Sequence, residues 1–275
     1  MTHIFLLSLA ISFQLVAQAQ PQKDRSIVSE DFTKHRPKPK RRTDHTKKPS
    51  RIYRLASTPL AEPLDKFSPN TLKVGVTLWK VQRAGDGPST KEIARRVEAD
   101  HEFHEGDLLR LSIESPRTGY LYVIDRDWFT DGSPGDTNLI FPLRGEDNRL
   151  QAGRLIDIPA ASDGPFKAKP KPNQVGEMLT IIVTSAPLSL PLSNNSLPIS
   201  PAQLTEWERM WTGMTERFEM NGGAGEARTT SEQEAATPRG IRQLTRDDPA
   251  PQTIYFLTPR TSDGLLFNLL LSYVQ

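Results

Sequence analysis

Residues 109–124 read LRLSIESPRTGYLYVI, and this stretch decides the fold class. Leu109, Leu111 and Ile113 alternate with Arg110, Ser112 and Glu114, a period of two that predicts a strand buried on one face. Ser115 to Gly119 supplies turn chemistry through Ser, Pro and Gly. Tyr120–Ile124 is then aromatic and β-branched, as in a strand buried on both sides or at a sheet centre. Upstream, Leu72, Val74, Val76 and Leu78 alternate with Lys73, Gly75, Thr77 and Trp79 in the same period. Downstream, residues 139–141, 154–158, 178–183, 254–257 and 265–274 are further short apolar runs, two of them stopped by Pro142 and Pro159. About eight strands separated by short Gly/Pro turns predict a mainly β protein, an Ig-like or related antiparallel β-sandwich. A parallel α/β arrangement is disfavoured because most of these connections are too short for a crossover helix.

Two or three segments break the pattern. Ser200 followed by Pro201 is a helix start, and Leu204, Trp207 and Trp211 fall on one face, predicting a helix over 201–211 that packs on the sandwich. Residues 227–235 are expected as a second helix, so that one or two short helices are inserted near residues 201–236. Residues 91–99 also read as a short helix.

The chain has 275 residues, 36% apolar and 25% charged, with 23 Pro, 17 Gly and no Cys. This excludes a disulfide scaffold, an iron–sulfur protein and a cysteine nucleophile. Beyond the first twenty residues nothing approaches the roughly 18 apolar residues of a membrane-spanning helix. Those first residues, with IFLLSLA at 4–10 and Ala17-Gln18-Ala19 before Gln20, read as a signal peptide over 1–19. The expected location is therefore outside the cytoplasm, periplasmic or extracellular.

The charge is lopsided. Residues 34–54 hold ten Lys/Arg against one Asp, a net of +9, so the rest of the chain carries −7 under an overall +2. With three Pro and little apolar surface, residues 20–70 are expected to be a disordered basic tether ahead of a sandwich domain over 71–275. Lys38, Lys40, Arg41, Arg42, Lys47 and Lys48 are the candidate electrostatic contacts. Their expected partners are an envelope protein or an anionic polymer, and the same charge suits peripheral contact with an anionic membrane surface. Nucleic acid is not expected, since no aromatics are interleaved for base stacking.

The run GDLLRLSIESPRTGYLYVIDRDWFTDGSPGDTNLIFP at 106–142, followed by GEDNRLQAGRLIDIP at 145–159, resembles bacterial proteins grouped as domain-of-unknown-function family 4384. The likeness continues in QVGEMLTIIVTSAPL, GGAGEARTTSEQEA and LTRDDPAPQTIYFL, and so covers most of 72–274. The resemblance implies an envelope-associated β-domain with no assigned activity. It also implies an aromatic where Arg228 stands.

No catalytic residue, cofactor or metal is assigned. His101-Glu102-Phe103-His104 lacks the four-residue spacing of a zinc-binding helix. Asp125, Asp127, Asp131 and Asp136 crowd carboxylates into one stretch, but Phe129 interrupts the ligand order of a calcium loop and a turn is the simpler reading. Paired carboxylates at Asp125/Asp127 or Asp247/Asp248 leave a carboxylate-dependent hydrolase of envelope polymer as the alternative to a non-catalytic binding module. No G-x-S-x-G or S-x-x-K is present. Asn221 to Glu226 lacks the Lys-Ser/Thr of a phosphate loop and reads as a helix-entry turn.

Overall fold

The computed structural model describes residues 22–38, 71–83, 92–220, 222–229, 232 and 240–274. They form a β-sandwich. One sheet runs β12 (Met214–Glu219), β14 (Thr253–Thr258), β1 (Leu72–Arg83), β4 (Leu108–Glu114), β8 (Arg154–Ile158) and β13 (Ile241–Gln243). Its β2 (Glu92–Val97) pairs with the second half of β1, and β9 (Phe166–Lys167) with the start of β4. The other runs β11 (Leu197–Pro198), β6 (Pro134–Phe141), β5 (Gly119–Phe129), β10 (Gln174–Thr184), β15 (Gly264–Tyr273) and β3 (Glu102–Phe103), with β7 (Arg149–Leu150) on β5. All pairings between these named strands are antiparallel except β15 with β3.

The apolar phase of each alternating strand meets between the sheets. Val76, Leu111 and Ile113 of the first sheet join Leu121, Val123, Leu179, Ile181, Phe267 and Leu269 of the second in one core. The outer face of the second sheet is covered by α2 (Pro201–Trp211). Ser200 caps it, accepting from the Gln203 N–H at 3.2 Å, and Leu204, Trp207 and Trp211 pack on Tyr122, Ile124, Ile182 and Leu266.

The outer face of the first sheet differs from expectation. Arg110, Ser112 and Glu114, assigned by alternation to solvent, are only 4%, 1% and 3% exposed. Two segments cover them. Residues 225–228 lie along β2, with Arg228 N–H donating to Ala94 and Gly225 N–H to Arg96. The Gly-rich run is therefore an added edge, with Ala227 bridged to Arg95; of the helix expected over 227–235, Glu232 is helical and its N–H donates to Thr229 Oγ1 at 3.2 Å, while 230, 231 and 233–235 lie outside the described residues. Within the 91–99 segment expected as a helix, Glu92–Val97 are likewise strand β2, because their alternation places Ala94 against Trp79 and Val81.

The second cover is N-terminal. Residues 22–35 form helix α1 (Gln22–His35), ended where Arg36 precedes Pro37. Phe32 is buried against Ile254 and Phe256, and Arg36 is 1% exposed. The expected disordered tether thus does not hold for 22–38, because Phe32 and Arg36 find buried partners on the sheet; the rest of 39–70 lies outside the described residues, as does the 1–19 segment.

Arg36 Nη2 donates to both Glu114 carboxylate oxygens at 2.7 and 2.9 Å, and Nη1 donates to the Asp248 carbonyl at 2.7 Å. Beside it, Asp157 accepts from Ser112, from Arg242 Nε at 3.1 Å and from Arg228 Nη2 at 3.2 Å. Two guanidinium groups lie over the Trp79 ring, Arg228 at 4.5 Å and Arg96 at 5.1 Å from its centre. Where the resemblance implied an aromatic, Arg228 instead stacks on one.

Candidate functional site

The stretch 125–138, whose crowded aspartates read as a turn, is a hairpin. β5 continues to Phe129 and β6 starts at Pro134. Only 130–133 turn, with the Ser133 N–H donating to Asp131 Oδ1 at 2.9 Å and Gly132 at φ +77°. Asp125 and Asp127 therefore occupy the strand phase of Leu121 and Val123 and point between the sheets. Across the ladder, Asp127 stands opposite Glu177 and Asp125 opposite Leu179. Glu177 in turn neighbours Leu271 on β15.

Three carboxyl groups thus share one end of the sandwich interior, and their partners differ. Asp127 accepts from Gln174 Nε2 at 3.0 Å and from Lys171 Nζ at 2.6 Å. Glu177 accepts from the buried Tyr273 hydroxyl. Asp125 Oδ1 is sealed from solvent and takes no hydrogen bond. Burial, reinforced by the charges of Glu177 and Asp127, pushes the Asp125 carboxyl up to about 8. Burial also raises Glu177, with the Asp127 charge adding to it and the Tyr273 hydrogen bond opposing it.

Asp125 and Glu177 face a cavity of about 130 Å³. Its walls are mostly apolar, with Leu109 and Leu111 from the first sheet, Leu179 and Leu271 from the second, and Phe166 from β9. β10 can approach β15 closely here because residue 176 is Gly; a Cβ there would stand 2.4 Å from the Leu271 carbonyl oxygen.

The remaining candidates are dispersed. Asp131 sits in the exposed turn, and Asp136 is a largely exposed partner of Lys171 at 3.3 Å, so the four aspartates do not converge. His101 packs edge-on against Phe103 beside β3, and His104 stands 3.9 Å from Asp107. Asp248 closes a turn by accepting from the Thr245 N–H at 2.6 Å. Of the basic candidates, Lys38 is exposed directly beyond the Arg36 anchor, while Lys40, Arg41, Arg42, Lys47 and Lys48 lie outside the described residues. Among the described residues no helix is long and apolar enough to cross a membrane.

Sequence reasoning named Asp125 and Asp127 but missed Glu177 and Tyr273. The available signal was a Glu on the inward phase of an otherwise apolar strand. Comparison with protein-family models, with curated proteins and with solved structures finds no match.

Proposed function

We propose that this is an exported envelope protein acting as a non-catalytic binding module, whose basic segment engages anionic envelope polymer or an anionic surface. The observation that carries this reading is the anchor at Arg36. The cation-rich stretch 38–54 follows directly from a side chain fixed in the first sheet, so charge gathered by that stretch is transmitted to a folded domain. Lys34, His35, Lys38 and Arg246 are exposed around that root, and Arg246 is held there by donating to the Arg36 carbonyl at 3.1 Å. A polyanion offers many sites at once and releases its counterions, which favours it over single surface carboxylates.

The test is co-sedimentation with anionic phospholipid vesicles and with a soluble anionic polysaccharide, for the intact chain and for a deletion of 39–54 that keeps the anchor. Binding should fall steeply between about 50 and 200 mM salt and vanish in the deletion. Binding that persists through both would remove the tether from the reading.

A second reading, a carboxylate-dependent hydrolase of envelope polymer, is favoured by one observation: Asp125 and Glu177 are neighbouring carboxyls, both raised by burial. Against it stands the cavity, whose 130 Å³ between the sheets offers no open cleft for a polymer chain. Release of reducing ends from envelope polysaccharide, lost in Asp125→Asn, would favour it.

A further inference from the structure

We propose that the cavity between the sheets is a binding site for a small primary alkylammonium group, such as a lysine side chain or a free alkylamine, received by Asp125 and Glu177. This goes beyond the tether reading and does not depend on it: the tether recognises anions, and this pocket recognises a cation.

Shape supports the assignment. The walls at Leu109, Leu111, Leu179 and Leu271 suit a short aliphatic stem, and Phe166 adds an aromatic ring. About 130 Å³ holds a four-carbon amine but not a sugar ring with its hydration. Chemistry supports it as well. A buried carboxylate oxygen without a partner carries a desolvation cost that a charge-assisted hydrogen bond from an ammonium removes. Asp125 Oδ1 is such a group, and it lines the cavity. Two cations are near, and neither is paired with these carboxyls: Lys171 Nζ is bound to Asp127 at 2.6 Å and Asp136 at 3.3 Å, and Lys167, which lines the cavity mouth from the short strand β9, is exposed. Tyr273, donating to Glu177, fixes that carboxylate and leaves its other oxygen for the ligand.

The proton balance gives a signature. At neutral pH the Asp125 carboxyl holds a proton, since burial and the adjacent Glu177 raise it to about 8. Binding of R–NH₃⁺ favours both groups as carboxylates, so the Asp125 proton leaves to solvent as the ammonium enters. Affinity therefore rises up to about tenfold per pH unit below about 8 and levels above it.

The experiment is calorimetry of the intact mature chain with n-butylammonium chloride, near neutral pH and above about pH 8, in two buffers of different ionisation enthalpy. We expect saturable binding that is tighter at the higher pH, with about one proton released at neutral pH. n-Butanol should not bind. Asp125→Asn and Glu177→Gln should each weaken binding at least tenfold while Asp136→Asn, on the exposed partner of Lys171, leaves it unchanged. Circular dichroism of each variant separates loss of binding from loss of fold. Equal binding of n-butanol, equal binding by folded Asp125→Asn, or no saturable butylammonium binding would overturn the proposal.

Discussion

Replacing Arg36 by Met tests whether the N-terminal arm is part of the fold. Its side chain is fully buried, and the Glu114 side chain that it holds is 3% exposed. Removing one partner of such a pair leaves an uncompensated charge in the interior, which costs about 3–5 kcal/mol. The Asp248 and Pro249 carbonyls, which accept from Arg36 at 2.7 and 3.1 Å, lose donors as well. The expected loss is therefore about 4 kcal/mol in urea unfolding at neutral pH. Two controls follow from the same geometry. Arg36→Met combined with Glu114→Met should recover most of the loss, because neither charge is then stranded. The pH dependence is the other control. Burial already raises Glu114, with Arg36 the chief opposing charge. Without Arg36 its folded-state value rises further above the unfolded one. The variant then takes up a proton on folding, and its deficit shrinks as pH falls from neutral toward about 5. An Arg36→Met protein within about 0.5 kcal/mol of the parent, or a deletion of 20–38 with unchanged stability, would refute the reasoning.

Asp125, at about 8 in the folded state against an ordinary 3.8, holds a proton that the unfolded chain has released. The Asp125 contribution to stability should therefore fall as pH climbs from about 4 to about 8, by at most about 1.4 kcal/mol per unit, and Asp125→Asn should flatten the profile, leaving the slopes of the other raised carboxyls such as Glu177 and Glu114, as read by denaturant titration across that range. Gly176→Ala places a Cβ against the Leu271 carbonyl at 2.4 Å. It should cost about 1–3 kcal/mol and also weaken butylammonium binding, because it displaces the strand that carries Glu177.

Much of the architecture was legible. Strands at 72–79, 109–113, 120–124, 139–141, 154–158, 178–183, 254–257 and 265–273 follow from alternation or short apolar runs with Gly/Pro punctuation, and the two-sheet sandwich follows from their short connections. Helix α2 was legible to its cap, since Ser200, Pro201 and the Leu204/Trp207/Trp211 face are local signals. The failures share a cause. Residues 92–97 have helix-compatible composition, and only pairing with Leu78–Arg83 makes them a strand. Residues 225–228 are edge-like for the same reason. Arg36 sits within a basic, proline-containing run whose composition signals disorder, and nothing local shows that Glu114, 78 positions on, waits for it.

A period of two divides a strand into two faces without saying what covers either. On β4 the polar phase, Arg110, Ser112 and Glu114, is drawn inside because Arg36, Arg228 and Arg242 arrive from distant parts of the chain with charges and stacking surfaces. On β5 the inversion runs the other way. Asp125 and Asp127 share the phase of Leu121 and Val123, so alternation alone sends them into the interior, while their turn-forming character and the nearby Gly and Pro argue for a loop. Register decides between the two. A one-residue slip that turned Asp125 to solvent would also turn Val123 and Leu121 out of the core and break the pairing with Ile181 and Val183. The core therefore holds the carboxyl inside at a cost that the Arg126 backbone N–H offsets only in part, leaving Oδ1 without a partner, and a ligand cation is the relief that the pocket is shaped to accept.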